Sequence, residues 1–315
     1  MTTPPALESG LVIAGHGRHV WIETPDGRRL ICHPRGKKNQ TVVGDHVLWL
    51  ASEDEGTIEK VQPRRNLFYR QDEIRTKSFA SNLDQVLILI AAEPEFSESQ
   101  LSRALIAAEA EHIRPIIALN KSDLSQPFEQ AWQRTAMYRD MGYTMLPMAL
   151  KPRSEAYPQT EQPLEAILQG KTTLVLGPSG SGKSTLINRL IPDAQVLTNA
   201  ISTALNSGKH TTTSTTLYWI DMERTTAVID SPGFQEFGLN HIEPTQLAGL
   251  MPDIRAHAAH CKFYNCSHLH EPGCGVIAAV HASSDENSPS SPRQISLRRY
   301  SIYSNLYAEL STKRY

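Results

Sequence analysis

A glycine-rich run in the second half of the chain has the composition of a phosphate-binding loop. Residues 177–184, Gly-Pro-Ser-Gly-Ser-Gly-Lys-Ser, match G-x-x-x-x-G-K-[ST] at every fixed position. The glycines let backbone N–H groups turn towards a phosphate, while Lys183 reaches the β- and γ-phosphates and Ser184 binds Mg²⁺. An apolar stretch precedes the run and a helical one follows it, which favours this role over a turn without function. The predicted nucleotide contacts here are Gly177, Pro178, Ser179, Gly180, Ser181, Gly182, Lys183, Ser184 and Thr185.

The tetrapeptide Asn120-Lys-Ser-Asp123 has the residues needed to select a guanine base. The carboxylate of Asp123 can accept hydrogen bonds from guanine N1–H and the 2-amino group together. Adenine has no amino group at that edge, so it would leave a buried carboxylate without partners, which costs about 1–3 kcal/mol. Asn120 is predicted to brace the neighbouring loops, and the stem of Lys121 to lie along the base. With the phosphate loop the motif indicates GTP; an ATPase or kinase with a chance match is the alternative.

Two further stretches match the parts of a GTPase that respond to the γ-phosphate. Asp230-Ser-Pro-Gly233 matches D-x-x-G, in which Asp230 holds Mg²⁺ through water and the N–H of Gly233 meets the γ-phosphate. The polar stretch 198–213 ends in three threonines, one of which should complete the Mg²⁺ shell. We predict Thr212 for this role and leave its two neighbouring threonines open. A solvated threonine-rich loop is the interpretation without function.

These motifs do not supply the residue that positions the attacking water. Ras-like proteins have a glutamine directly after D-x-x-G, whereas this chain has Phe234. We therefore expect slow intrinsic hydrolysis and another group at the water. His210 is the candidate, because it lies beside the threonines and exchanges protons near neutral pH; an exposed loop histidine is the alternative. The predicted catalytic residues are Lys183, Thr212 and His210.

The chain around these motifs alternates between apolar runs and helical stretches. Residues 85–92 and 115–120 are continuous apolar runs, typical of strands buried on both faces of a parallel sheet. Further strands are predicted at 143–147, 171–177 and 225–229. Helices are predicted at 97–112, 128–141, 164–169 and 183–190. This alternation predicts a doubly wound α/β domain over about residues 80–235.

Residues 10–72 carry short β-rich runs separated by turns. Strands are predicted at 11–13, 20–22, 30–32, 46–50 and 57–61. Such short strands suit a small barrel of the OB type, with another small β-domain as the alternative. Basic side chains lie on and after it, beside Trp21, which suits oligonucleotide binding as well as a solvated surface. These basic residues are Arg28, Arg29, Arg35, Lys37, Lys38, Arg64, Arg65 and Arg70.

Three of the four cysteines crowd together near the end of the chain. Their spacing, with histidines among them, suits a closed tetrahedral site for one structural Zn²⁺; reduced core cysteines are the alternative. The predicted ligands are Cys261, Cys266, Cys274 and His268, with His260 and His270 as alternatives to His268. A final helix is predicted at 294–310. Basic residues on or beside it are Arg293, Arg298, Arg299, Lys313 and Arg314.

The guanine motif precedes the phosphate loop, which is a circular permutation of the usual GTPase order. Permutation leaves the site intact when the original termini lie close together. With a barrel before these motifs and a cysteine–histidine cluster after them, the chain resembles the RsgA family of bacterial GTPases, also called YjeQ or YloQ. The resemblance covers about residues 8–310. It includes Val43-Gly-Asp45, Ala80-Ser-Asn-Leu-Asp84, Gly208-Lys-His-Thr-Thr-Thr213 and Pro272-Gly-Cys274.

The resemblance implies a domain order and an activity. It implies an OB-fold RNA-binding domain at 1–75, a circularly permuted GTPase domain at 76–238 and a zinc-binding, helical domain at 239–315. It further implies hydrolysis of GTP to GDP and phosphate, stimulated by the small ribosomal subunit, during late maturation of that subunit and with binding to rRNA near the decoding region. The family pattern favours His268 as the fourth zinc ligand. It also implies a guanine contact from the backbone of Ala149, although the usual Ser-Ala-Leu is Met-Ala-Leu here.

Bulk composition sets the remaining expectations. The 315 residues carry a formal net charge of −2, and no apolar run approaches the roughly 20 residues of a membrane span. The start has no basic region followed by an apolar stretch, so no secretory signal is predicted. We expect a cytoplasmic monomer with no membrane partner, which binds GTP or GDP, Mg²⁺, and the small subunit with its rRNA. A non-enzymatic RNA-binding protein that holds GTP is the third interpretation, which the intact Lys183, Ser184 and Asp230 disfavour.

Overall fold

The computed structural model describes residues 6–16, 19–36, 41–52, 55–72, 75–151, 161–192, 194, 215–232, 237–283 and 295–312. Within these ranges the strands are β1 (Glu8–His16), β2 (His19–Glu23), β3 (Arg29–Pro34), β4 (His46–Leu50), β5 (Gly56–Val61), β6 (Leu67–Gln71), β7 (Thr76–Ser81), β8 (Gln85–Ala91), β9 (Arg114–Asn120), β10 (Thr144–Met148), β11 (Thr172–Leu176), β12 (Thr216–Trp219) and β13 (Ala227–Asp230). The helices are α1 (Glu98–Ala110), α2 (Ser125–Arg134), α3 (Ala136–Asp140), α4 (Glu161–Leu168), α5 (Lys183–Leu190), α6 (Pro244–Leu247), α7 (Pro252–Ala258), α8 (Gly275–Ser283) and α9 (Leu297–Ser311), with a 3₁₀ turn at Ala248–Leu250. The predicted residues His210, Thr212 and Gly233 lie outside the described residues, so their roles stay predictions.

Strands β1 to β5 close into a barrel. Their order is β1-β2-β3-β5-β4, and β4 pairs back onto β1. β3 and β5 are parallel, whereas the other neighbours are antiparallel. Successive side chains of a strand point to opposite faces, and the inward set forms the core. This core consists of Val12, Val20, Ile22, Cys32, Val47, Trp49 and Ile58. All five predicted strands are present, and the predicted OB-type barrel is confirmed.

A hairpin that the sequence did not predict follows the barrel. β6 and β7 pair antiparallel in a sheet of their own. Phe79 on β7 stacks on Phe237, with 6.0 Å between ring centroids. The backbone N–H of Gln71 donates to the carbonyl of Gly238 at 3.1 Å, and its carbonyl accepts from the N–H of Asn240 at 3.0 Å. The predicted domain boundaries after residues 75 and 238 fall at this contact, and they stay predictions.

The α/β domain is built on six strands in the order β10-β9-β8-β11-β13-β12. The first five run parallel, and β12 is antiparallel to β13. β8 is buried along its whole length, as expected of a parallel strand covered on both faces. Val86, Ile88 and Ile90 belong to one apolar core, and Leu87 and Leu89 to the core on the opposite face. This confirms the predicted doubly wound sheet.

Two features of this domain differ from the prediction. The helix predicted at 128–141 is two helices, α2 and α3, which meet at Thr135. The buried hydroxyl of Thr135 donates to the carbonyl of Trp132 at 2.8 Å, and such side-chain bonds to the backbone compete with helix continuation. Strand β12 was not predicted; it lies directly after the polar stretch 198–213 and has only four residues.

The barrel is joined to this sheet through strand β12. Ala14 of β1 pairs with Thr216 of β12, so barrel and sheet form one continuous eleven-stranded array. Beside this pairing the carboxylate of Glu23, which is 4% exposed, accepts from the indole N–H of Trp219 at 2.7 Å. Buried carboxylates are stable only when they are partnered, so Glu23 fixes how the barrel sits on β12.

The Val-Gly-Asp motif at 43–45 connects the barrel to the hairpin. The carboxylate of Asp45 is fully buried and accepts from the guanidinium of Arg64 at 2.7 Å and from the hydroxyl of Ser81 at 2.6 Å. Gly44 has a φ of +93°, and a Cβ on it would lie 2.3 Å from the carbonyl oxygen of Ser81. Only glycine fits there. The motif therefore has a structural reason, and the partly exposed Arg64 is engaged with a buried carboxylate.

The C-terminal helix α9 packs onto the α/β domain through a buried arginine. Arg299 is 3% exposed. Its guanidinium donates to both carboxylate oxygens of Asp253 on α7 at 2.7 and 3.0 Å, and to the hydroxyl of Ser102 on α1 at 2.7 Å. Arg299 is therefore a structural residue inside the protein and is not part of a surface basic group. None of the described helices is both long and apolar enough to cross a membrane.

Candidate functional site

A cavity of about 700 Å³ opens at the carboxyl ends of the parallel strands, the usual place for a ligand in a doubly wound sheet. It brings together the phosphate loop, the guanine motif and the start of D-x-x-G, which are far apart in the sequence. The predicted residues that line it are Asn120, Lys121, Asp123, Gly177, Pro178, Ser179, Gly180, Gly182, Lys183, Ser184, Thr185 and Asp230. Two predicted residues, Ala149 and Ser181, lie next to the cavity without lining it.

The phosphate loop links β11 to α5 and depends on glycine. Gly180 and Gly182 have φ of +81° and +100°, in the left-handed region that favours glycine. A Cβ on Gly182 would lie 2.3 Å from the side-chain nitrogen of Asn120. α5 begins at Lys183, so the unpaired N–H groups and the positive end of the helix lie at this loop. Ser181 is 1% exposed, and its hydroxyl has no hydrogen-bond partner among the described residues.

Asn120 connects the guanine motif to two other loops. Its amide nitrogen donates to the carbonyl of Ser181 at 2.9 Å, and its amide oxygen accepts from the N–H of Leu150 at 3.1 Å. The N–H of Ser122 donates to the carbonyl of Met148 at 2.9 Å. The phosphate loop, the guanine motif and the loop after β10 are thus held together by one buried side chain and one backbone bond.

Ala149 lies in the loop after β10. Its side chain is 5% exposed, and it faces a second, smaller cavity of about 240 Å³ together with Leu164 and Arg189. Its neighbours on both sides carry the backbone bonds to the guanine motif. The backbone of Ala149 therefore lies beside the end of the cavity that holds Asp123, and its contact to guanine stays a prediction.

Lys183 and Asp230 face each other at the other end of the cavity. The ammonium nitrogen of Lys183 lies 2.5 Å from a carboxylate oxygen of Asp230, and the side chains are 11% and 13% exposed. They meet because β11 and β13 are neighbours in register, with Val175 opposite Asp230. A cation and a carboxylate thus stand together beside Ser184, as required where a triphosphate and its Mg²⁺ are bound.

Other residues line the cavity without belonging to the predicted set. They are Glu93, Leu124, Leu150, Lys151 and Pro232. Leu124 and Pro232 are next to predicted residues, and Leu150 is part of the Met-Ala-Leu triplet. Glu93 and Lys151 belong to no motif. The available signal is position, because both follow the carboxyl end of a parallel strand, where ligands of such sheets bind.

The four predicted metal ligands converge in the C-terminal region. They are Cys261, Cys266, His268 and Cys274, and their ligand atoms all lie within 4.8 Å of one another. The sulfur of Cys261 is 3.3 Å from Nδ1 of His268 and 3.7 Å from the sulfur of Cys274. His260 and His270 are exposed and lie outside this group. Of the histidines left open by the spacing, the structure selects His268.

The surroundings of this cluster order the loop that carries it. Burial raises the pKa of the Cys266 thiol to about 12 and lowers the pKa of His268, because both groups are removed from water. The carboxylate of Glu271 accepts from the N–H of Ser267 at 2.7 Å. The hydroxyl of Tyr300 on α9 donates to the carbonyl of His268 at 2.8 Å. Three thiols and one imidazole facing a common point are the donor set that structural zinc sites use.

Some of the basic residues noted in the sequence are exposed on the barrel, and others are used inside the fold. Arg28 and Arg35 on the barrel are 60% and 70% exposed, and each pairs with a carboxylate of the barrel. Exposed pairs of this kind contribute little to stability, so the guanidinium groups can still meet a partner. Arg64 and Arg299 instead hold the fold together. Lys37, Lys38, Arg293, Lys313 and Arg314 lie outside the described residues.

A phosphate loop, a preceding guanine motif and the start of D-x-x-G around one cavity define a circularly permuted P-loop GTPase. Comparison with known proteins agrees with this class, since residues 61–240 match the family model described as RsgA GTPase. The chain belongs to the RsgA GTPase family and is a GTP hydrolase.

Relatives of known name support this assignment over the whole length of the chain. A protein of Variovorax paradoxus named small ribosomal subunit biogenesis GTPase RsgA is 69% identical, over 100% of this chain and 96% of its own. A protein of the same name from Paraburkholderia phymatum is 48% identical, over 96% and 92%. The crystal structures of YloQ, described as a circularly permuted GTPase, and of YjeQ from Thermotoga maritima are both 27% identical. They match with TM-scores of 0.68 and 0.70, covering 98% of this chain and 98% and 100% of their own.

Proposed function

We propose that this chain binds GTP in the cavity, hydrolyses it to GDP and phosphate, and acts in maturation of the small ribosomal subunit. The observation that carries the nucleotide part is the pair of hydrogen bonds made by the Asn120 side chain, which fixes the guanine motif against the phosphate loop. One ligand with a base at Asp123 and phosphates at Lys183 then fills the cavity between them. The ribosomal part is supported by the names of the relatives.

The roles within the cavity follow from its chemistry. Asp123 accepts from guanine N1–H and the 2-amino group, and the stem of Lys121 supports the base. The N–H groups of the phosphate loop and Lys183 hold the β- and γ-phosphates. Asp230 and Ser184 hold Mg²⁺, which neutralises the charge that develops on the phosphate oxygens. Because Lys183 and Asp230 already face each other, the cation proposed for the phosphates and the carboxylate proposed for Mg²⁺ stand at the same end of the cavity before the nucleotide binds.

The residues proposed to position the attacking water and to form the switch lie outside the described ranges. We assign Thr212 to the Mg²⁺ shell, Gly233 to the γ-phosphate and His210 to the water, as the sequence predicts. β12 begins a few residues after Thr212, and β13 ends at Asp230. These two paired strands therefore connect both ends of the proposed switch to the rest of the sheet.

The C-terminal cluster is proposed to hold one structural Zn²⁺. Its four donors surround a common point, and two of them, His268 and Cys274, are buried. Four protein ligands complete the tetrahedral shell of Zn²⁺, whereas a catalytic zinc site keeps one position for water. The surrounding loop has little apolar core of its own, so ion binding would supply much of its folding free energy. The cluster also lies against α9, which reaches the α/β domain through Arg299.

The proposed partner is rRNA of the small subunit near the decoding region, in the cytoplasm, with the chain acting as a monomer. The barrel supports this proposal because its topology is that of OB barrels, and it carries exposed arginines. Stimulation of hydrolysis by the subunit has a physical route. A rigid partner on the barrel would bias β1, which pairs with β12 next to the proposed switch.

The test of the ribosomal part is single-turnover GTP hydrolysis with and without purified small subunits. We expect faster hydrolysis with small subunits and no change with large subunits. The same preparations in a filter-binding assay should lose affinity as salt rises, because phosphate contacts release counterions. Equal rates with and without small subunits, together with salt-independent retention, would contradict the proposal.

The test of the nucleotide part uses Asp123→Asn, with Asp140→Asn on the exposed end of α3 as the matched control. Asparagine can donate to a base that carries a carbonyl in place of the 2-amino group. We expect Asp123→Asn to weaken GDP binding by about 10- to 100-fold and to strengthen binding of xanthosine diphosphate. Calorimetry measures both. Unchanged GDP affinity in Asp123→Asn would remove the assignment.

A further inference from the structure

The ribose position in the cavity follows from the strand order, given the proposed GTP site. The guanine motif follows β9, the phosphate loop follows β11, and β8 lies between these strands. Ala91 at the end of β8 pairs with Asn120, and the N–H of Ala92 donates to the carbonyl of Asn120 at 3.1 Å. A nucleotide with its base at Asp123 and its phosphates at the loop must therefore pass its ribose over the end of β8.

Glu93 is the acidic residue at this point. It is two residues beyond β8, it is exposed, and it lines the cavity. The next residue fixes its location, because the ring of Pro94 lies 3.0 Å from the position that a Cβ on Gly180 would take. Glu93 therefore stands beside the phosphate loop, between the two ends of the proposed nucleotide.

No hydrogen bond or ion pair links the Glu93 carboxylate to another described residue. Its neighbour Glu95 pairs with Arg134, and Asp230, in the same cavity, pairs with Lys183. Among the described residues, the Glu93 carboxylate therefore has no direct hydrogen-bonding or ion-pairing partner, in contrast to Asp230.

A carboxylate without a protein partner is unexpected in a site that binds the negatively charged phosphates of GTP, unless the ligand itself supplies a hydrogen-bond donor. It would repel the phosphates unless it accepts hydrogen bonds from the nucleotide. Guanine N1–H and the 2-amino group are taken by Asp123, and the remaining donors of GTP are the ribose hydroxyls. A carboxylate also binds ribose hydroxyls at the corresponding edge of dinucleotide-binding sheets. We propose that Glu93 accepts a hydrogen bond from a ribose hydroxyl and makes the site select ribonucleotides over deoxyribonucleotides.

The test compares GDP, 2′-deoxy-GDP, 3′-deoxy-GDP and ADP by calorimetry on the full chain. The variants are Glu93→Ala, Glu93→Gln and the control Glu95→Gln, which changes an exposed carboxylate two residues away. We expect the wild type and Glu95→Gln to prefer GDP over one deoxy form by roughly tenfold, since hydrogen bonds to charged groups are strong. Glu93→Ala should abolish this preference by weakening GDP and the deoxy form that keeps the bound hydroxyl, while the deoxy form that lacks it keeps its affinity. Glu93→Gln should retain part of it, because the amide oxygen still accepts.

Three results would overturn the proposal. One is a wild type without preference between ribo and deoxy forms. Another is a preference that survives in Glu93→Ala. The third is an equal change of affinity for all guanine nucleotides in Glu93→Ala, which would indicate general repulsion or a contact to a lysine. Failure of the GTP site itself would appear separately, as a wild type that binds ADP as tightly as GDP.

Discussion

The nucleotide cavity draws its lining from positions 93 to 232, whereas the four donors of the metal cluster lie between positions 261 and 274. The cavity therefore depends on the register of five strands and on Asn120, which holds three loops together. The cluster depends on a short local loop and on the ion that it is proposed to hold. The difference indicates that nucleotide binding and folding of the metal-binding region can be lost independently. Arg299 is the exception, because it connects the two regions.

Removal of the metal ion should have the largest effect, and it tests whether the two sites are independent. Structural zinc contributes about 10–16 kcal/mol in small zinc domains, so chelation should unfold residues 255–280 while the cavity keeps its affinity for GDP. Hydrogen exchange followed by mass spectrometry, with zinc added back as the control, measures the first effect and calorimetry the second. Protection of 255–280 after complete loss of metal would contradict the assignment.

The same cluster has an expected pH dependence. Burial holds the pKa of the Cys266 thiol above that of a free thiol, so the ion must displace a thiol proton when it binds. Ion affinity should therefore rise with pH over the neutral range. Zinc titrations at several pH values, followed by hydrogen exchange of residues 255–280, measure this slope. An ion affinity that does not change with pH would contradict the thiolate ligand set.

Arg299→Met tests the connection between the two regions. It leaves Asp253 buried without its partner, which costs about 3–5 kcal/mol, and it removes the bond to Ser102 on α1. Both the C-terminal region and the α/β domain should unfold at lower urea. The double variant Arg299→Met with Asp253→Leu should recover much of the loss, because no unpaired charge remains. A single variant as stable as the wild type would show that the regions are independent here too.

Lys183→Ala tests the chemistry of the cavity alone. We expect single-turnover hydrolysis to fall by about 10²- to 10³-fold, since Lys183 is proposed to be the cation that contacts the transferred phosphoryl group. Metal content and the protection of 255–280 should not change. Lys60→Ala, at an exposed position on the barrel, is the control. Hydrolysis at the wild-type rate in Lys183→Ala would place the reacting phosphate elsewhere.

Ser181→Ala has the smallest expected effect, and unlike Arg299→Met it should raise the free energy of unfolding. The Ser181 hydroxyl is buried without a hydrogen-bond partner among the described residues, so its removal should stabilise the protein by about 1 kcal/mol. The carbonyl that Asn120 binds is unchanged, and GDP affinity should therefore stay the same. Urea unfolding measures the gain. A destabilised variant would mean that the hydroxyl has a partner.

The parts of the fold found from sequence are those with a local signal. β8 and β9 are continuous apolar runs, α5 follows a glycine-rich motif, and the predicted bounds of α5 match the structure. β12 is four residues long, and its identity as a strand comes from pairing with β13 and β1, which is a long-range property. The hairpin β6–β7 was missed because its stability depends on Phe237, far away in sequence.

The same division applies to the sites. Motif spacing identified the phosphate loop, the guanine motif and the three cysteines, and the structure was needed to choose His268 over its neighbours. Glu93 carries no motif, and only the order of strands shows that it borders the cavity. Charge alone does not distinguish the buried Arg299 from its exposed neighbour Arg298, because a sequence does not reveal which arginines have a buried carboxylate opposite them.

The pairing of Ala14 with Thr216 has a consequence for solubility. An open sheet exposes backbone N–H and C=O groups along its outermost strands, where another molecule can add a strand. The barrel covers β12 on one side, and within the described residues the opposite side ends at β10, which contains Pro147, a residue that cannot donate to a ladder. A chain cut after the barrel would uncover β12 and leave it open to strand-to-strand aggregation. The N-terminal barrel thus shields its neighbour from self-association.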